Sequence, residues 1–379
     1  MPPPVVRFDE KSLVILDHDR EWVFVADPEG RIEMIHTPEV SFKRSRFNRW
    51  YEVQRAPWPG LRETTTERIA GELPAWIGVW RRAQQSGIAA AADVLGRWID
   101  EFFAFHEADA RAFSTLFPKI PILPPDTYRA LYVRIQEGCP WNRCAFCTFY
   151  KDERYRVVPS PELETQLAHL RGYWRRAIRS RHGFFLGDAN AVAVPAAVLS
   201  ERLMLIRKAF PEPELVEFHS FVDYFAGPHR TAGEWRALGA EGLRRLSLGV
   251  ESGDVRLMEL VDKPANLHDI ISLVQSVNEA GVAINLIFLV GLGGRLLREA
   301  HLSGSLRLIQ SLPLARTDRI YLSPLVIDPA QPYASVSHRE NWKELTEQEL
   351  RNELDLWQRE VRNVTRAQIS PYHIRQFIY

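Results

Sequence analysis

The chain has 379 residues, 46% of them hydrophobic, and its 48 basic residues balance 48 acidic ones. That length buries a large core, enough for one big domain with appendages, and the charge balance argues against wholesale binding to nucleic acid or to an anionic membrane surface. No apolar run approaches the roughly 18 residues of a membrane span. With few cysteines, and a start (Met1-Pro2-Pro3-Pro4) that lacks the basic and apolar regions of a signal peptide, a reducing cytoplasm is the expected setting.

In chain order, residues 1 to about 55 read as a small β module. Leu13-Val14-Ile15-Leu16, Trp22-Val23-Phe24-Val25 and Arg31-Ile32-Glu33-Met34-Ile35 are short strands, with Asp27-Pro28-Glu29-Gly30 as a turn. A basic stretch follows, Lys43, Arg44, Arg46 and Arg49, interleaved with Phe42, Phe47 and Trp50. Cations that track phosphates beside rings that stack on bases give an RNA-contact reading; the lack of an overall positive bias gives a solvated edge instead, and no nucleic-acid partner is expected. Residues 60 to 117 have helical spacing, with Trp98, Phe102 and Phe105 at i, i+4, i+7 on one face, expected to pack against the following domain. The proline-rich run from Phe117-Pro118 to Pro124-Pro125 marks a boundary.

From residue 130 strands alternate with helices. The strands are expected at 131–136, 183–187, 215–220, 243–250, 283–290 and 319–326, and the helices at about 160–181, 195–210, 231–240, 267–280 and 298–312. Such alternation implies a parallel sheet with right-handed crossovers. The tail from 327 holds one helix, Glu347 to Val361, opened by the capping box Thr346-Glu347-Gln348-Glu349. The end, 374–379, reads as a short strand.

All the cysteine of the chain lies in Cys139-Pro140-Trp141-Asn142-Arg143-Cys144-Ala145-Phe146-Cys147, on a loop after the run Ala130 to Ile135. Thiolates suit iron–sulfur clusters or zinc. A structural zinc needs four ligands in close spacing, and His169 and His182 are far along the chain. A plant-type ferredoxin shares the C-x4-C-x2-C spacing but needs a fourth cysteine. Cys144 and Cys147 also have the spacing of a thioredoxin-like redox pair, a motif without a third thiol upstream. Three buried core cysteines is the plainest alternative, although Pro140, Asn142 and Arg143 make the segment polar. A cubane held by three cysteines leaves one iron open for chemistry, as a catalytic zinc keeps one position free.

Here the chain resembles the radical S-adenosylmethionine (radical SAM) superfamily. Cys144-Ala145-Phe146-Cys147 fits its C-x-Φ-C pattern, while the first gap is x4 instead of the usual x3. The resemblance covers residues 130–330. It implies an α/β fold, a partial (β/α)6 TIM-like barrel, with domains at 1–117 (β and helical module), 126–328 (core) and 329–379 (C-terminal helical extension). It implies that Cys139, Cys144 and Cys147 ligate a [4Fe-4S] cluster and that S-adenosylmethionine (SAM) chelates the fourth iron. In such barrels functional groups gather at the strands' C-terminal ends. By position, the resemblance assigns SAM contacts to Phe146, to Gly187, Asp188 and Asn190 after the second strand, to Glu251 and Ser252 after the fourth, and to Gly291 after the fifth, whose glycine lets backbone approach adenine. Tyr321-Leu322-Ser323 on the sixth strand is expected to complete the adenine pocket. Arg134 and Gln136 alternate onto one face of the first strand; with His219 and Asp223 they are the candidate substrate contacts.

The implied activity is reductive cleavage of SAM to a 5′-deoxyadenosyl radical that abstracts hydrogen from a substrate. An external electron donor of the flavodoxin or ferredoxin type is implied as partner. Further cysteines for auxiliary clusters, a cysteine relay for methyl transfer and the Asp-x-His-x-x-Gly motif of a cobalamin domain are all missing from the sequence. What remains is a single-cluster oxidoreductase, most like the methylthiotransferase and coproporphyrinogen-oxidase branch. Its catalytic residues and substrate are not legible. The alternatives are a non-catalytic iron–sulfur or zinc scaffold and an RNA-binding or RNA-modifying protein.

Overall fold

The structure is a computed structural model that describes residues 3–54, 60–85, 87–328 and 331–379. Met1 and Pro2, the first half of the stretch examined for an export signal, lie outside the described residues. The chain divides into two compact units. One holds Met1–Ile120, Thr165–His182 and Arg375–Tyr379, and the other Pro121–Glu164 and Gly183–Ile374.

The first unit opens with seven antiparallel strands in sequential order: β1 (Val5–Phe8), β2 (Leu13–Asp17), β3 (Trp22–Ala26), β4 (Ile32–His36), β5 (Ser41–Arg44), β6 (Trp50–Gln54) and β7 (Gly60–Thr64). Three helices follow, α1 (Thr66–Gln84), α2 (Ala89–Asp100) and α3 (Phe102–Leu116). Alternation along the strands sends Leu13, Ile15, Phe24, Ile35, Phe42 and Trp50 to one face, where they meet Ile69, Trp76, Trp80, Trp98 and Phe102 from the helices. The rings pack edge-on, tilted or stacked; Trp80 is tilted on Trp98 at 5.1 Å and stacked on Phe102 at 5.6 Å between centroids. The aromatic stripe on these helices therefore fills the core of its own unit.

The basic–aromatic stretch is a solvated edge only in part: Lys43 and Arg49 are exposed, whereas Arg44 and Arg46 are buried in ion pairs. Phe42 and Trp50 are core. Arg44 pairs with Asp109 at 2.9 Å, and Arg46 with Asp27 at 3.0 Å and Glu33 at 2.8 Å. The strand's two-residue period turns alternate side chains inward, which a reading of charge alone misses. Burial works to raise the Asp27 carboxyl, but Arg46 and Arg31 outweigh it and hold Asp27 below its ordinary value.

The second unit is α/β and built on a parallel sheet. Its elements are β8 (Leu131–Arg134), β9 (Gln136–Glu137), β10 (Arg156–Val157), the start of α4 (Ser160–Trp174), which from Thr165 onward belongs to the first unit, β11 (Phe184–Gly187), α5 (Ala196–Ala209), β12 (Phe218–Val222), α6 (Ala232–Ala240) and β13 (Leu243–Glu251). There follow α7 (Val255–Leu260), α8 (Leu267–Glu279), β14 (Ala283–Val290), α9 (Gly294–Ser311), β15 (Arg319–Pro324), α10 (Pro332–Arg339), α11 (Glu347–Val364) and β16 (Gln368–Pro371). Seven strands run parallel in the order β8-β11-β12-β13-β14-β15-β16, and β9 pairs with β10 apart from them. The runs Phe184–Gly187 and Ala283–Val290 are almost wholly buried, as expected of strands covered on both faces.

Several elements differ from their sequence expectation. The final segment is a 3-10 turn at Ile374–Gln376, and the strand lies earlier, at Gln368–Pro371, where Ile369 pairs with Ile320. Helix α7 is six residues long and too short to leave a period in the sequence. The α11 capping box is present, with Thr346 and Glu349 bonding reciprocally. No described helix is long and apolar enough to cross a membrane.

His106 gives the first unit a pH dependence. Its Nε2 accepts the Ile32 N–H at 3.3 Å and its Nδ1–H donates to the Phe102 carbonyl at 2.8 Å, so the neutral ring satisfies both. Burial, then the charge of Arg44, depresses its pKa well below 6.5. As pH falls below about 6.5 the unfolded chain takes up a proton that the folded unit refuses, so stability present above that pH is lost, by up to about 1.4 kcal/mol per pH unit. Urea unfolding between pH 7 and 5 is expected to show that slope, flattened in His106→Gln; an equal slope in both proteins would contradict it.

Candidate cofactor site

The cysteine loop leaves the sheet after β9 through Gly138, which sits at φ +71°; a Cβ there would lie 3.2 Å from the backbone of Glu153 and Arg154. The four-residue gap turns at Asn142, φ +50°. Its N–H points at the Cys139 sulfur at 3.3 Å, and its amide nitrogen donates to the Tyr150 carbonyl at 2.8 Å. The gap thus contains one left-handed residue, a conformation asparagine tolerates better than most.

The segment after α7 holds the other side of the loop. The Ala145 N–H donates to the Val261 carbonyl at 2.8 Å, Trp141 Nε1 to the Asp262 carbonyl at 2.7 Å, and Arg143 pairs with the Asp262 carboxylate at 3.0 Å. The Ala145 carbonyl in turn accepts the Tyr333 N–H at 3.0 Å. All three cysteines are half-buried free thiols, and all three line one cavity. Burial pushes the Cys144 thiol up to about 12, against the pull of Lys263, and raises Cys147 too. Among the described residues no group of three or more His, Cys, Asp or Glu side chains is arranged to hold a single metal ion.

Apolar side chains make most of the cavity wall, among them Ile122, Phe149, Phe221, Ile287, Leu325 and Tyr372; Asp223, Glu251, Lys263, Ser323 and Gln331 bring polar groups to it. Lys263 is the residue that sequence reasoning missed. Its ammonium donates to the Gly249 carbonyl at 2.6 Å and to Glu251 at 2.9 Å, and lies 5.8 Å from the Phe146 ring centroid. Burial disfavours that charge, but Glu251 and then Cys144 more than offset it, leaving the ammonium above the usual lysine value. Nothing around Asp262-Lys263-Pro264 announces this in the sequence; only its place after the fourth strand's Glu251 is a signal.

The expected SAM contacts separate into those at the cavity and those away from it. Phe146 and Glu251 line it, as do Asp223 and Ser323. Gly187 does not: a Cβ there would meet the Tyr132 ring at 2.4 Å, so glycine makes room for a tyrosine. Asp188 turns inward, taking the Gly138 N–H at 3.0 Å, the Tyr132 hydroxyl, and Arg134 at 3.4 Å. Asn190 is buried and lines a neighbouring cavity. Ser252 bonds His301 Nδ1 at 2.7 Å, and Gly291 packs on Leu350, where a Cβ would come within 2.8 Å. Tyr321 donates to Asp126 at 3.0 Å. Of the candidate substrate contacts, Arg134 is committed to Asp188, Gln136 is wholly buried with its amide unpartnered, and His219 carries a depressed pKa through burial, so only Asp223 is at the cavity.

The Asp188 geometry generates a stability prediction. Removing a buried carboxylate that braces Arg134 and holds the cysteine loop is expected to cost about 3–5 kcal/mol in Asp188→Ala, read by chemical denaturation. Unchanged stability together with weakened SAM binding would contradict this bracing role.

Residues 133–302 match the family model "Radical SAM superfamily". Among solved structures, the chain is similar to coproporphyrinogen III oxidase from Escherichia coli, a radical SAM enzyme, at 20% identity and a TM-score of 0.45 over 67% of this chain and 55% of that one. It is similar to methylornithine synthase at 14% identity and a TM-score of 0.42 over 69% and 68%. A radical SAM methyltransferase from Kitasatospora setae gives 19% identity and a TM-score of 0.38 over 54% and 36%. The chain thus spans about half the length of the oxidase. No curated protein matches. Over residues 133–302 the chain carries the radical SAM superfamily domain, whose members are enzymes that bind a [4Fe-4S] cluster and S-adenosylmethionine.

Proposed function

We propose that this chain is a single-cluster radical SAM enzyme in which Cys139, Cys144 and Cys147 each hold one iron of a [4Fe-4S] cluster. The observation that carries the reading is three free thiols on one cavity wall, in a chain with no fourth cysteine. Four ligands of one zinc would crowd about 3.8 Å apart around Zn–S bonds of about 2.3 Å. Thiolates of a cluster each bind a different iron, which fits three thiols lining one cavity. The seven-stranded parallel sheet is read as a partial barrel whose first six strands form the (β/α)6 core.

When bound, the cluster and SAM supply a 5′-deoxyadenosyl radical by one-electron cleavage of the C5′–S bond. The chain's own residues do the holding and shielding. Lys263 has three donors, two of them given to Gly249 and Glu251; its remaining N–H and its charge suit the SAM carboxylate. Glu251 keeps that ammonium charged, and Ser323 and Gln331 offer hydrogen bonds to the nucleoside. The apolar walls exclude water from the reacting centre. An external one-electron donor is needed, since the chain's cysteines are all committed to the cluster.

Anaerobic reconstitution is expected to load about four irons and four sulfides per chain and to yield 5′-deoxyadenosine with SAM and reductant. Cys144→Ala is expected to lose both; one zinc per chain, or undiminished cleavage by the variant, would overturn the proposal. The double variant Lys263→Met/Glu251→Gln avoids leaving a buried carboxylate unpaired. It is expected to keep its iron and bind SAM about 10- to 100-fold more weakly, by loss of a hydrogen bond to a charged group, as measured by equilibrium binding. Unchanged affinity would remove Lys263 from the site.

A further inference from the structure

A second cavity adjoins the thiol cavity and shares two wall residues with it, Val222 and Asp223. Its wall carries Asn190, Asp223, Trp235, Asp269, Ser272 and Ser276. The loop that roofs it, 223–230, is fastened to the opposite rim. Gly227, at φ +93°, lies so close to Ala193 that a Cβ would come within 2.7 Å of its backbone. Arg230 donates from Nη1 to the Val192 carbonyl and from Nη2 to the Val194 carbonyl, with its guanidinium 5.1 Å from the Trp235 ring centroid. The chamber is a built feature of the fold.

The chamber offers both kinds of polar group: Arg230 Nε and Trp235 Nε1 are buried donors without a partner, and acceptors gather at Asp223 and Asn190. The Asp223 carboxylate takes the Phe225 N–H at 3.1 Å and the Ala226 N–H at 2.6 Å, and Asn190 is its side-chain partner. These are neutral donors; burial leaves the carboxyl above its ordinary pKa despite them and despite the weaker pull of the Lys263 charge. Asn190 Oδ1 is buried with no hydrogen-bond partner, and Asp269 adds a second carboxylate. The Arg230 guanidinium on this wall is already engaged by two backbone carbonyls. The half-buried Asp223 carboxylate and the orphan Asn190 amide oxygen together make a seat for a donor-rich cation.

We propose that this chamber holds the ammonium group of an amine-bearing small-molecule substrate, seated on Asp223 and Asn190, so that the rest of the substrate passes Val222 into the thiol cavity. This rests on the enzyme reading above for its catalytic meaning, but the chamber's preference for an ammonium is a property of the polypeptide alone. The loop also connects the two sites. Phe225, next to Asp223 in the roof, packs edge-on against Trp141 of the cysteine loop at 5.8 Å, so a seated ammonium orders the segment that touches the cluster-binding loop.

The test is a ligand-observed NMR titration of the full chain, with and without reconstituted iron, using n-butylammonium, 1-butanol and butyrate as probes. Butylammonium is expected to bind in both preparations, and the alcohol and the carboxylate at least tenfold more weakly. Asp223→Asn keeps an acceptor for the two backbone N–H groups and is expected to weaken butylammonium at least tenfold; Asp269→Asn, on the outer helix, is the second variant should Asp223→Asn fail to fold, with a smaller loss expected. Equal binding of the three probes, or butylammonium binding unchanged in the folded variants, would overturn the inference. Iron loading and 5′-deoxyadenosine formation report on the enzyme reading separately: their absence with Asp223-dependent amine binding sinks that reading alone, and their presence without amine binding sinks this inference alone.

Discussion

The Asp188 carboxylate, lodged between the Gly138 N–H, the Tyr132 hydroxyl and Arg134, is the contact on which the arrangement of the cofactor cavity depends. It ties the end of β11 to the start of the cysteine loop, so two neighbouring strand ends are locked before any cofactor arrives. A buried carboxylate is costly unless donors surround it, and here a main-chain N–H, a phenol and a guanidinium all converge on it. Gly187 completes the lock by leaving space for the Tyr132 ring. The opposite edge of the loop is fixed by the Val261 and Asp262 carbonyls. Between these two anchors the thiols are displayed along one wall.

The same economy recurs in Lys263. A buried ammonium beside the cysteine loop supplies positive potential on the wall that the three thiols line, as the proposed cluster and SAM carboxylate would require. Glu251 and the Gly249 carbonyl prevent that ammonium from losing its proton to the low-dielectric surroundings. Asp223 takes its hydrogen bonds from neutral groups, and the Lys263 charge acts on it more weakly than burial does. The polar groups of the two cavities thus differ: an ammonium with a direct counter-ion beside the cysteines, and a carboxylate without one in direct contact beside the neighbouring chamber.

Much of this was legible in the chain itself, and the exceptions have physical causes. The alternation of apolar runs and helical periods placed the six strands β8 and β11 to β15, most plainly β11 and β14, which are buried on both faces and leave a continuous apolar signal. The cysteine cluster was visible because ligand type and spacing are local. Asp188 was legible as a residue at a strand end, but which way its side chain turns depends on Tyr132 and Gly138, about fifty residues earlier. Lys263 was invisible for the same reason: its meaning comes from Cys144 and Glu251, brought near by the fold. Arg44 and Arg46 looked like surface charge because their partners, Asp109 and Asp27, lie on other elements. Ser252 and Gly291 sat at the right strand ends, yet helix packing claims them, Ser252 by His301 of α9 and Gly291 by Leu350 of α11.

The central claim is that three protein thiolates leave one iron of a cubane without a protein ligand, available to a cofactor. Mössbauer spectroscopy of the anaerobically reconstituted chain, recorded with and without SAM, tests it most directly. One iron in four is expected to shift its parameters when SAM is added while the other three stay as they were. Four irons that respond alike, or none that responds, would contradict it.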